Sequence, residues 1–66
     1  MTYLKSLEVL ITDTEKIKLL ATVLISVSDP AAKEKLLEVR RLAGLIVKEF
    51  DEIIKSTPEE KANTLL

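Results

Sequence analysis

Apolar residues recur along this chain in two long series whose members are alternately four and three residues apart. This spacing keeps each series on one side of an α-helix. We call the two series the ladders; the first is Tyr3, Leu7, Leu10, Thr14, Ile17, Ala21, Leu24 and Ser28, and the second is Ala32, Leu36, Val39, Ala43, Ile46, Phe50 and Ile53. The pattern predicts an all-α fold, a two-helix antiparallel hairpin with long helices at about 2–28 and 30–56.

The ends of the two predicted helices carry recognisable start signals. Thr2 is suited to cap the first helix, because its hydroxyl can accept a hydrogen bond from an unpaired backbone N–H. Asp29 is also a capping residue, and Pro30 suits a first helical position, where its missing N–H costs nothing. Proline also disfavours helical dihedrals at Asp29. The first helix is therefore expected to end near Ser28 and the second to begin at Pro30.

A third start signal lies near the carboxyl end. Thr57 is placed to cap, Pro58 to stand first and Glu60 to complete a capping box. Residues 57–66 are therefore expected to form either a short helix or a flexible tail. The whole chain, 1–66, is one helical-hairpin domain, since 66 residues can hardly support more than one core.

The apolar side of the first helix is interrupted near its middle by polar residues. Thr12 could cap a new helix with Glu15 completing the box, which would divide the segment. Alternatively, Thr14 could bond back to a carbonyl one turn earlier within a continuous helix. The ladder keeps its phase across the interruption, which favours one continuous, kinked or straight, helix.

Gly44 lies inside the second predicted helix, where glycine costs about 1 kcal/mol relative to alanine. Folding the rods at Asp29 brings it level with Thr14. At this level of the hairpin, the polar residue Thr14 therefore lies opposite the small residues Ala43 and Gly44. Close approach of a partner helix and an exposed, tolerated position are two explanations, and a small polar pocket or hinge is a third.

The apolar residues outnumber those that a hairpin can bury. A helix that is apolar over most of its circumference is normally buried on several sides, and large exposed apolar patches usually mark interaction surfaces. Two hairpins related by a two-fold axis would form a four-helix bundle, so we expect a homodimer or higher oligomer. The predicted self-association residues are Leu19, Leu20, Val23, Leu24, Val27, Leu42, Leu45, Ile46 and Phe50.

Composition argues against most kinds of chemistry. The chain has no cysteine and no histidine, so thiolate zinc sites, disulfides and imidazole bases are excluded. Its serines have no histidine to activate them, and its one glycine lies in a helix rather than a phosphate-binding loop. We expect no metal, no cofactor and no enzymatic activity, and interpret the chain as an interaction or assembly protein.

Two further interpretations concern partners. The first is a small dimeric nucleic-acid-binding regulator that uses Lys33, Arg40, Arg41 and Lys48. The net charge of −1 provides no strong attraction to nucleic acid or anionic lipid, and Arg41 is placed to pair with Glu38 instead. The second is a small subunit whose apolar faces are covered by a different protein.

Nothing in the chain is typical of a targeting or membrane segment. The amino end lacks a basic region followed by an apolar run, and the apolar stretch 19–27 is much shorter than the roughly 20 residues that span a bilayer. A soluble, cytoplasmic protein is expected. The absence of glutamine, cysteine and tryptophan, with abundant Ile, Lys and Glu, is typical of a hot environment.

Overall fold

A computed structural model describes all 66 residues as three helices in an elongated, single-layer hairpin. The helices are α1 (Tyr3–Ile25), α2 (Pro30–Ser56) and α3 (Glu59–Ala62). The two long helices pack against each other, which confirms the predicted all-α hairpin. The molecule measures 48 × 19 × 12 Å with a radius of gyration of 15.0 Å, whereas a compact 66-residue domain would have about 11 Å. The hairpin is one helix thick.

The predicted caps form at the amino ends of both long helices. The Thr2 side chain accepts a hydrogen bond from the Lys5 N–H at 3.1 Å. The Asp29 carboxylate accepts from the Ala32 N–H at 2.9 Å, and Pro30 is the first residue of α2. The two helices therefore begin where these residues predict it.

The carboxyl end of α1 comes earlier than predicted, at Ile25 rather than Ser28. The N–H groups of Ser26, Val27 and Ser28 donate to carbonyls three residues back, at 3.2, 3.1 and 3.5 Å. Such bonds tighten the last turn and satisfy carbonyls that an α-helix leaves unpaired. The Ser26 and Ser28 hydroxyls also donate to carbonyls of that turn, at 2.7 and 2.6 Å.

Helix α1 is continuous through its polar interruption, as the phase of the ladder predicts. The Thr14 hydroxyl donates to the Leu10 carbonyl at 2.7 Å, and the Thr12 hydroxyl donates to the Glu8 carbonyl at 3.0 Å. Both hydroxyls are thus satisfied within the helix, so neither has to act as a cap.

The ladders do not form the contact between α1 and α2 in the predicted way. From the third member of each ladder onwards, every second member is exposed: Leu10, Ile17 and Leu24 on α1, and Val39, Ile46 and Ile53 on α2. The rows that are covered by the opposite helix are Leu4, Leu7, Ile11, Thr14, Ala21 and Ile25 on α1, and Leu36, Arg40, Ala43, Val47, Phe50 and Ile54 on α2. Each helix is rotated so that one half of its ladder faces its neighbour and the other half faces outwards.

The carboxyl-terminal segment packs against the start of α1. The Tyr3 N–H donates to the Thr64 carbonyl at 2.8 Å, and the Leu66 N–H donates to the Met1 carbonyl at 2.9 Å. The Lys61 ammonium lies 5.1 Å from the centre of the Tyr3 ring, within range for a cation–π contact. These contacts tie the two chain termini together.

The predicted start of α3 is wrong by one residue. Thr57 ends α2, because its N–H donates to the Ile54 carbonyl at 3.2 Å and its hydroxyl donates to the Ile53 carbonyl. Pro58 occupies the cap position of α3 and makes no side-chain hydrogen bond there. The capping box with Glu60 does not form, since the threonine side chain is already engaged by the preceding helix.

Candidate interaction surface

One side of the hairpin carries a set of exposed, large apolar side chains. We call this set the front face; it consists of Leu10, Ile17, Leu20 and Leu24 on α1 and Val39, Leu42, Ile46 and Ile53 on α2. Their exposed fractions run from 38% at Ile53 to 61% at Leu20. By contrast, only Leu7, Ala21 and Ala43 are buried in the whole chain. Of the large apolar side chains, only Leu7 is thus buried, whereas eight are exposed on the front face.

Helix geometry places the two halves of the front face on the same side. An α-helix turns by about 100° per residue, so residues three and four apart lie about 60° and 40° apart around its axis. On each helix the exposed ladder members are therefore rotated by about 50° from the covered ladder members, in the same rotational direction when each helix is viewed from its amino end. The two helices run in opposite directions, so the same rotation about each axis turns both rows towards the same side of the hairpin. The exposed rows of α1 and α2 therefore lie side by side and form one surface.

The opposite side of the hairpin is different in character. A shallow, open groove of about 480 Å³ lies between the helices there, lined by Glu15, Lys18, Leu19, Thr22, Gly44 and Val47. A Cβ added at Gly44 would meet no atom within 4 Å, so no other segment of the chain approaches it closely. The groove mixes charges, a hydroxyl and two apolar side chains, whereas the centre of the front face is apolar.

The accessible surface area of the chain is larger than that expected for a compact monomer of the same mass. The chain exposes 5033 Å², and a compact monomer of 7.4 kDa would expose about 4200 Å². The difference of about 800 Å² equals the area that each partner contributes to a standard protein–protein interface. The hairpin thus carries an amount of additional surface that matches one interface.

The predicted self-association residues are distributed over several sides of the hairpin. Five of them, Leu20, Leu24, Val27, Leu42 and Ile46, lie on or beside the front face. Val23 and Leu45 lie on the outer edges, Leu19 lines the groove, and Phe50 belongs to the row that α1 partly covers. All except Phe50 are at least 44% exposed.

Four members of the front face were absent from the predicted surface: Leu10, Ile17, Val39 and Ile53. Because these four residues belong to the ladders, the sequence pattern placed them in the contact between the two helices. The signal that could have identified them is the width of the apolar stripe, since a helix with two neighbours needs a stripe that faces both.

The four residues of the predicted nucleic-acid patch do not form one exposed cluster. Arg40 is partly covered, in the row that faces α1, and Lys33 and Lys48 are exposed. The Arg41 guanidinium donates to both Glu38 carboxylate oxygens, one of them at 3.2 Å. This hydrogen bond, aided by the positive charge of Arg41, lowers the pKa of Glu38 below its ordinary value of 4.5. The pairing predicted for Arg41 and Glu38 is confirmed.

Comparison with known proteins gives no relative from which a role could be transferred. No protein-family model, no curated protein and no solved structure shows a significant match to the chain. Neither long helix combines the length and the apolar character needed to cross a bilayer. No group of three or more Asp or Glu side chains is arranged to hold a metal ion. The front face is therefore the feature on which a functional argument has to rest.

Proposed function

We propose that this protein is a non-enzymatic interaction or assembly module that homodimerises through its front face into a four-helix bundle. The observation that carries the proposal is the exposure of eight large apolar side chains on one side of a hairpin that is one helix thick. Stable domains are built from at least two packed layers around a core. A second hairpin supplies the missing layer.

Alternate members of each ladder point in two different directions, which supports a four-helix bundle. In a four-helix bundle every helix packs against two neighbours, one beside it and one across the core, and its apolar stripe points between them. Here Leu7, Thr14 and Ala21 face α2, whereas the alternate members Leu10, Ile17 and Leu24 face the front. The sequence pattern is thus that of a helix with two neighbours, of which the hairpin provides one.

The free energy available on burial is large for so small a chain. Fully burying a Leu, Ile or Val side chain contributes about 1.5–3 kcal/mol. The front-face side chains are roughly half exposed, so each would add about 1 kcal/mol on association. Eight such contributions per copy are comparable with the entire stability of a small domain, which is about 5–15 kcal/mol. We expect folding and dimerisation to be coupled.

A matched pair of substitutions tests the proposal. Leu24 on the front face and Val23 on the outer edge are adjacent in the chain and 50% and 57% exposed. Leu24→Glu places a charge in the proposed interface, whereas Val23→Glu places the same charge where it stays in water. Analytical ultracentrifugation at micromolar concentration should give twice the chain mass for the parent and for Val23→Glu. It should give a monomer of low helix content for Leu24→Glu.

Other outcomes would change the assignment. A well-folded parent that sediments as a sharp monomer would contradict the proposal. A parent that is monomeric and mostly unfolded on its own would instead indicate a subunit whose front face is covered by a different protein. Loss of the dimer in Val23→Glu but not in Leu24→Glu would show that the outer edge, rather than the front face, forms the contact.

A further inference from the structure

One row at the margin of the front face carries opposite charges on either side of an apolar residue. Lys35, Leu42 and Glu49 are seven residues apart on α2, so they lie in line along the helix. All three are exposed. Neither Lys35 nor Glu49 lies within 4.0 Å of an opposite charge in its own chain, where the ion pairs are Lys5–Glu8 and Arg41–Glu38.

A two-fold dimer through the front faces has two possible arrangements. If the turns of the two copies lie at the same end, α2 of each copy packs on α1 of the other. If the turns lie at opposite ends, α2 packs antiparallel on the second copy of itself, and α1 does the same. The two arrangements bury the same apolar side chains, so charges at the margin must distinguish them.

We propose that the partner on the front face is a second copy whose turn lies at the opposite end, with Lys35 of each copy against Glu49 of the other. This inference rests on the proposed function. In an antiparallel pair of α2 helices centred on Leu42, residues seven positions before and after the centre meet. The two-fold axis therefore makes two Lys35–Glu49 pairs, and the two Leu42 side chains meet at the axis.

The alternative arrangement offers these charges no partner. With the turns at the same end, Lys35 would lie level with the front-face residues near the end of α1, which are Leu20 and Leu24. Glu49 would lie level with the first turns of α1, whose front side carries Ser6, Leu10 and Asp13. One charge would thus face apolar side chains and the other would face a like charge, which is unfavourable at a margin.

A double-mutant cycle measures the proposed pairing. Fourteen residues of helix hold Lys35 and Glu49 about 21 Å apart within one chain, and exposed charges interact weakly beyond about 8 Å at physiological salt. Any coupling between them therefore reports on contact between two copies. Lys35→Glu or Glu49→Lys alone should raise the dimer dissociation constant about tenfold or more. The double variant Lys35→Glu/Glu49→Lys should return it to within about threefold of the parent.

Spin-label distances measure the arrangement independently. The chain has no cysteine, so Ala31→Cys and Ser56→Cys each introduce one labelling site, at exposed positions near opposite ends of α2. With turns at opposite ends, the rise per residue separates the two labels by about 33 Å at position 31 and about 42 Å at position 56. With turns at the same end, both distances would be less than about 25 Å.

The results separate the arrangement from the proposed function. Additive effects in the charge cycle, or short distances at both labelled positions in a dimer of twice the chain mass, would overturn the arrangement and leave the homodimer intact. A folded monomer in every sample would overturn the homodimer itself, and the arrangement with it. Restoration by the double variant together with long distances at both positions would establish the antiparallel pairing.

Discussion

Gly44 is the residue at which the back of the hairpin can be probed with the smallest change. It lies within α2, in the open groove between the helices, and no atom would come within 4 Å of an added Cβ. Its conformation is helical with negative φ, so alanine is allowed there without strain. The cost of glycine in a helix is then the main term that a substitution would change.

We predict that Gly44→Ala stabilises the protein by about 1 kcal/mol, because it removes backbone freedom from the unfolded chain and fills empty space. Urea unfolding at a fixed chain concentration measures the change. The dimer mass should stay the same, since the proposed partner lies on the opposite side. A loss of stability would instead show that another helix packs closely against the groove.

Glu38 is the residue whose ionisation is tied to a named contact. Arg41 lowers the pKa of Glu38 in the folded state, so the pair stabilises the folded state above pH 4.5 and this contribution is lost as the pH falls below that value. We predict that Glu38→Gln is less stable than the parent at pH 7. The difference should vanish on acidification, as followed by urea unfolding across a pH series.

A matched control for that series is Glu52→Gln, which removes an exposed carboxylate of the same helix that makes no ion pair. Its difference from the parent should change much less between pH 7 and pH 3. Because the side chains of both residues are more than half exposed, salt should weaken the effect of Glu38. An equal pH dependence in both variants would assign it to the overall charge rather than to the contact with Arg41.

At the scale of elements, the caps and the continuity of α1 could be predicted from the sequence because local chemistry decides them. Thr2 and Asp29 need only the N–H groups three residues further along, and Thr14 needs only the carbonyl one turn earlier. The competing bonds of Thr57 could not be predicted, because two adjacent helices can both use the same side chain.

The periodicity of the sequence could not predict how each helix is rotated about its own axis. Both Leu10 and Ile11 are apolar, as are Ile46 and Val47, so the pattern is equally consistent with either residue facing the opposite helix. The structure places Ile11 and Val47 in the covered rows and exposes Leu10 and Ile46. Such a choice depends on how the two helices pack together, which the order of apolar and polar residues does not specify.

The tail around α3 joins the two chain termini at one end of the hairpin without contributing to the front face. It contacts α1 through the hydrogen bond from the Tyr3 N–H and the Lys61 ammonium over the Tyr3 ring, and the Leu66 N–H donates to Met1, just before α1. We predict that removing residues 58–66 accelerates hydrogen exchange at the Tyr3 amide, because that N–H loses its acceptor. The truncated chain should still sediment as a dimer. Dissociation of the truncated chain would show that the tail takes part in the interface.

At the scale of the whole molecule, shape and surface lead to the same conclusion. The hairpin is 12 Å thick in its smallest dimension and buries three residues, so it has one layer where stable domains have at least two. Its surface exceeds that of a compact monomer by about the area of one standard interface. A second copy on the front face would account for both observations at once.

The most direct test of this account is isotope-filtered nuclear Overhauser spectroscopy on a mixture of labelled and unlabelled copies. Only contacts between two copies contribute to such spectra. Front-face packing predicts intermolecular contacts among the methyl groups of Leu24, Leu42 and Ile46, and none from Leu19 in the groove. Contacts that involve Leu19 instead, or the absence of any intermolecular contact in a folded sample, would contradict a bundle formed through the front face.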